Sequence, residues 1–144
     1  EMASHPLSML LTWLPEGKIQ QEGINCNITR KEAFAHFGYQ HAGGICNVEI
    51  VCRHVETTAP LRRFGINDFI VDCFGKKDEQ QFFKTYLRYG ENELACEDFM
   101  QQSIRQFIRA AEKNDSNLML ASGEQGYHNL LMQEQLHHHA KRRE

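Results

Sequence analysis

The chain has 144 residues and a mass of 16.7 kDa, with 41% apolar and 24% charged residues and a formal net charge of −3. Those values are ordinary for a globular protein and exclude a disordered tail, a collagen-like repeat and a low-complexity linker. A chain this long buries about two-thirds of its unfolded surface, so folding alone requires neither a metal nor a disulfide.

Charge is evenly spread. Residues 1–72 hold 6 basic and 8 acidic side chains, and residues 73–144 hold 10 and 11. That balance excludes a broad phosphate-tracking surface. The local exception is the end, residues 137–144, where His137, His138, His139, Lys141, Arg142 and Arg143 meet a single acid, Glu144. The five cysteines are odd in number and form no CxxC pair, which predicts reduced, unbridged thiols and a cytoplasmic location. The apolar run Leu7–Leu14 is eight residues long without a basic flank, too short for a secretory signal or for the ~20 residues of a membrane span, so no membrane partner is expected. Glu1 precedes Met2, which reads as the natural start.

In chain order, Ser4 and Pro6 open a helix that carries six apolar residues among the eight from Leu7 to Leu14 and stops at Pro15-Glu16-Gly17. A short strand is expected near 24–28. Thr29 and Glu32 fit a capping box, predicting a helix through Phe37 that Gly38 ends. Alternation then predicts two strands, about 45–55 and 64–74, paired as an antiparallel hairpin. Asp78 caps an expected helix to Tyr89. The strongest stripe follows, with Leu94, Cys96, Phe99, Met100, Ile104 and Phe107 on one helix side, ended by Asn114-Asp115-Ser116-Asn117. A last helix is expected from about Tyr127 toward Arg142. The reading is an α+β fold in the order α-α-β-β-α-α-α, a small antiparallel sheet covered by helices in a single domain, 1–144.

Four constellations of residues are candidate sites. The segment 29–38 resembles the first helix of excisionase-type helix-turn-helix motifs, through Thr29-Arg30-Lys31-Glu32-Ala33 and Phe37-Gly38. That resemblance implies DNA contacts at Arg30 and Lys31, joined by the tail cations Lys141, Arg142 and Arg143, but Gly43-Gly44 falls where a recognition helix belongs. His36, His41, Cys46, Cys52 and His54 form the densest Cys/His cluster, yet without chelating spacing, so cysteines packed as small hydrophobes are favoured and no metal or cofactor is expected. Cys52 and His54 lie about 6.7 Å apart along a strand, too far for an activated thiol, and Gly123–Gly126 has GXXG spacing with an acid that suits phosphate poorly. No enzyme is expected. If the face of Asp68 and Asp72 coincides with that of Glu49 and Arg53, Arg53 meets an aspartate as a cross-strand ion pair, but a solvated or partly covered polar face is favoured.

The expected function is a non-catalytic protein-interaction module, an adaptor, accessory or chaperone-like homodimer. Its expected partner contacts are Leu7, Leu10, Leu11 and Trp13 on the first helix, and Phe82, Tyr86 and Tyr89 on the aromatic helix. The alternative is a small DNA-associated regulator using residues 29–38 and the basic tail. The tail is expected to dock on its own body or a neighbouring molecule, with Lys141–Arg143 near acids such as Glu91, Glu93, Glu97 and Asp98, because the last helix has few apolar residues to hold it.

Overall fold

A computed structural model describes residues 4–54, 61–119 and 121–142, except for the side chains of Phe99 and Arg142. The order is α1 (Ser4–Trp13), β1 (Lys18–Ile19), β2 (Asn25–Ile28), β3 (Glu32–His41), β4 (Gly44–Arg53), β5 (Leu61–Ile66), β6 (Phe69–Lys77), β7 (Phe83–Tyr89), β8 (Asn92–Ala95), α2 (Phe99–Lys113), a 3-10 turn (Ser116–Leu118), α3 (Gly123–His139) and β9 (Ala140–Arg142). The fold is α+β with two mainly antiparallel sheets, and the chain divides into two compact units.

The first unit takes residues from 1–55 and 121–144. Strand β4 pairs with β3 along its whole length. On its other side β3 pairs with β2 through residues 33–36 and with β1 through 39–40. Alternation sends Ala35, Phe37 and Tyr39 inward, where Phe37 and Tyr39 are 0% exposed. Leu7, Leu10 and Leu11 of α1, with Met132 and Leu136 of α3, join them in one core. Fully burying one such side chain contributes about 1.5–3 kcal/mol, so this cluster dominates the unit's stability. Two polar contacts fix the helices. The Tyr39 hydroxyl donates to the Leu14 carbonyl at 2.9 Å, and the Asn129 amide donates to Ser4 O and Ser8 Oγ at 2.9 and 2.7 Å. The tail docks on the unit's own sheet, where β9 lies parallel to β2.

The second unit, within 56–120, is a β5-β6-β7-β8 meander followed by α2. Asn67 (φ 52°) turns β5 into β6. Asp98 caps α2 by accepting from the Met100 and Gln101 amides at 2.9 and 3.0 Å, and Asn114 ends it in the left-handed conformation.

Several expectations are corrected. The order is α, eight strands, then two helices, not α-α-β-β-α-α-α. Residues 29–37 are not a helix. Thr29 Oγ1 accepts from the Glu32 amide at 3.0 Å, as a cap would, but the Thr29 amide donates to Glu32 O at 2.8 Å, closing a hairpin turn into β3. Residues 78–89 repeat the correction. Asp78 Oδ1 accepts from the Gln80 and Phe82 amides at 2.9 Å each, Gln81 takes φ 65°, and the chain reverses into β7. The strands at about 45–55 and 64–74 do not pair as a hairpin: β4 pairs with β3, and the later stretch is itself a hairpin of β5 and β6. Leu94 belongs to β8 rather than to the strong helix, which begins only after the Asp98 cap.

Candidate interaction surfaces

Strand alternation gives the four-stranded sheet two unlike faces. The register sets Arg63, Asp72 and Arg88 in one cross-strand row, with Phe74 opposite Tyr86 in the next row and Lys76 opposite Lys84 beyond it. This face is ionic. Arg63 Nε donates to Asp72 Oδ1 at 2.7 Å, and Arg88 Nη2 donates to Asp72 Oδ2 at 3.1 Å. The Arg63 and Arg88 guanidinium groups beside Asp72 hold its carboxyl down at about 2. Lys76 pairs with Glu93, and Lys84 pairs with Asp78 at 3.0 Å, lowering the Asp78 carboxyl and raising the Lys84 ammonium. Phe74 and Tyr86 stack with centroids 6.1 Å apart, the Arg88 guanidinium lies 5.0 Å from the Phe74 ring, and the Lys76 ammonium lies 4.2 Å from the Tyr86 ring. Each of these cations has an anionic partner, with Arg63 and Arg88 sharing Asp72.

The opposite face is mostly apolar, although Arg62 stands across from Cys73 and Lys77 across from Phe83. The same register places Phe64 across from Val71, Ile66 from Phe69, Cys73 from Leu87, and Leu87 from Leu94. The Phe69 and Tyr89 rings meet at 4.4 Å. Gly75 belongs to this face because the Phe83 ring lies where a Cβ would stand. Cys73 is buried among its neighbours, but Ile66, Phe69 and Leu94 are 52, 54 and 67% exposed. Helix α2 carries a second apolar surface. Met100, Ile104, Phe107 and Ile108 recur at helical spacing, all of them exposed, with Phe107 at 60%.

The residues singled out in the sequence scatter. Leu7, Leu10 and Leu11 are covered inside the first unit, and Trp13 at the end of α1 is exposed. Phe82 stands exposed in the turn before β7. Tyr86 and Tyr89, expected on one helix, occupy opposite faces of a strand, the ionic and the apolar. Arg30 and Lys31 are exposed in the β2–β3 turn, so no helix presents them to a groove. Lys141 and Arg142 belong to β9, and Arg143 lies outside the described residues. Asp72 forms cross-strand ion pairs with Arg63 and Arg88, not with Arg53. Arg53 pairs instead with Glu32 on β3 at 2.8 Å, and Asp68 lies in the β5–β6 turn. His36 points to the opposite side of β3 from the row holding Cys46 and Cys52, and no three metal-ligating side chains among the described residues converge. No cysteine is bridged, and burial pushes the Cys26, Cys52 and Cys96 thiols up. Gly123–Gly126 forms the first turn of α3, where Ser122 and Gln125 make a reciprocal capping box.

Phe83 and Leu87 of the apolar sheet face fall in the stretch where capping by Asp78 predicts a helix. The signal for the strand is the alternation Phe83, Thr85, Leu87, Tyr89 against Lys84, Tyr86, Arg88. Among the described residues, no helix is long and apolar enough to cross a membrane. No protein-family profile, curated protein or solved structure matches the chain.

Proposed function

We propose that this chain is a protein-interaction module that self-associates as a homodimer, with an adaptor, accessory or chaperone-like role. The observation that carries the reading is the apolar face of the β5–β8 sheet, with Ile66, Phe69 and Leu94 each more than half exposed. Contiguous apolar surface of this kind on a small domain marks an interface. The occupant is a second copy of the chain. An identical face matches in twist, two sheets pack face to face about 10 Å apart with their strands aligned, and closed two-fold dimers are the commonest assembly. A net charge of only −3 leaves little repulsion between copies. The exposed α2 stripe is a second apolar surface of the same unit.

The role is binding rather than catalysis. Asp72, the carboxylate held lowest, is engaged by two guanidinium groups and is too weak a base at about 2 to take protons at neutral pH. Sedimentation equilibrium tests the reading. The chain is expected at twice 16.7 kDa at micromolar concentration, and Phe69→Asp, which puts a carboxylate into the face, is expected at 16.7 kDa with its circular dichroism retained. A single-chain mass for the unmodified protein throughout the micromolar range overturns the proposal, as does a Phe69→Asp dimer of undiminished affinity.

A further inference from the structure

The first unit contains a hollow that its own sequence creates. Along the inward side of β3 the side chains shrink, from Tyr39 and Phe37 at one end to Ala35 and Ala33 at the other. Their cross-strand neighbours follow: Ala35 stands between Cys26 and Ile50, and Ala33 between Ile28 and Cys52. The large end closes into the core. The small end leaves a cavity of about 460 Å³ beneath α3, open to solvent on one side and roofed by Leu130 and Leu136. That volume lies within the range of small-molecule pockets, which are mostly apolar with a few convergent polar groups. An unfilled space of this size forfeits the dispersion contacts of every side chain around it.

The polar groups at this cavity, Gln133, Glu134 and His137, are supplied by α3. Gln133 Nε2 donates to Asn129 Oδ1 at 2.6 Å, so the carboxamide offers a ligand its carbonyl oxygen. Glu134, one residue on, adds a carboxylate. His138 Nε2 lies 3.8 Å from its Oε1, beyond hydrogen-bond range. The Gln133 carbonyl and the Glu134 carboxylate accept hydrogen bonds, and the His137 ring stands at the same cavity.

We infer that this cavity is a binding site for a compact small molecule with an apolar body and a hydrogen-bond-donating, cationic end, such as an arylalkylamine. The body lies against Ala33, Ala35 and the two thiols, and the ammonium meets Gln133 Oε1 and the Glu134 carboxylate. Cys26 and Cys52 line the space as small apolar walls. This site is independent of the self-association proposed above, because it uses the first unit alone.

The two thiols make the site readable. Full-length protein is alkylated with iodoacetamide, with and without 2-phenylethylamine, and each cysteine is followed by mass spectrometry; toluene and phenylacetate serve as comparators. The amine is expected to slow modification of Cys26 and Cys52 several-fold while leaving Cys96 unchanged. Toluene should protect weakly and phenylacetate least, because its carboxylate faces Glu134. Ala35→Leu fills the hollow and is expected to abolish protection while melting no lower than the unmodified protein. Glu134→Gln is expected to keep the fold and erase the preference for the amine over toluene. Equal rates with and without the amine overturn the site. Equal protection by all three probes overturns the assigned ligand class, and undiminished protection in Ala35→Leu overturns the location.

Discussion

The two units use strands of the same alternating kind and finish them differently. In the first, one sheet side is closed by helices from both ends of the sequence, and Phe37 and Tyr39 are 0% exposed. In the second, the apolar side of the β5–β8 sheet leaves Phe69 more than half exposed, and α2, despite its apolar stripe, packs chiefly on the short 3-10 turn. An apolar row on a strand shows that the row will be covered. It does not show by what.

The sharpest way to break this comparison is to truncate one phenylalanine in each unit. Phe37→Ala removes a fully buried ring and is expected to cost about 3–5 kcal/mol in urea unfolding. Phe69→Ala, measured at concentrations low enough to separate two copies, is expected to cost less than about 1 kcal/mol, because its ring is still largely in water. Equal losses would mean that Phe69 is covered within the monomer. The second effect in size is Asn129→Ala. Asn129 is buried, and its amide ties α3 to Ser4 and Ser8 of α1. Its loss leaves the Ser4 carbonyl and the Ser8 hydroxyl without that donor, for an expected destabilisation of about 1–3 kcal/mol. A comparable loss from Gln125→Ala, an exposed capping-box residue, would remove the distinction.

Much of the architecture was legible where a single periodicity ran uninterrupted. The alternation from Cys46 to Cys52 marks β4, the stripe from Met100 to Ile108 marks α2, and Asn114 ends that helix as its composition suggests. What misled was local chemistry shared by two structures. A Thr or Asp side chain that accepts from an amide two to four residues on serves a helix N-cap and a hairpin turn equally well, and Thr29 and Asp78 both make turns. The deciding signal lay after each of them, in the period of two through Ala33, Ala35, Phe37 and Tyr39 and through Phe83, Thr85, Leu87 and Tyr89. The candidate surface was less legible than the fold. Ile66 and Phe69 share a face only because Asn67 and Asp68 reverse the chain between them, so extending one strand through that turn assigns Ile66 to the wrong side.

A smaller effect sharpens the view of the first unit. Tyr39→Phe keeps the ring, which packs closely over Gly17, and removes only the hydroxyl that donates to Leu14 O. The expected cost is about 1 kcal/mol, since the carbonyl after α1 loses a part-buried donor. A loss as large as that of Phe37→Ala would show that this bond, rather than ring burial, anchors the end of α1.

The smallest expected effect belongs to the ionic face of the second unit, and pH exposes it. Asp72 titrates at about 2 in the folded chain, below its ordinary 3.8, because Arg63 and then Arg88 bond to its charged form. A carboxylate lowered on folding stabilises the fold above its unfolded pKa, and that contribution disappears as pH falls through the folded value. The window therefore runs from about 4 down to about 2, and Asp78, lowered by Lys84, acts in the same direction within the same unit. Both guanidinium groups are about half exposed or more, so water and salt screen the pairs and keep the effect modest. Amide hydrogen exchange across that window is expected to lose protection in β6 and β7, and added salt at pH 5 to reduce it slightly. Asp72→Asn should flatten the pH dependence in those strands while leaving β3 and β4 unchanged. If the substituted protein keeps the same pH profile in β6 and β7, the row of Arg63, Asp72 and Arg88 contributes nothing to holding those strands together.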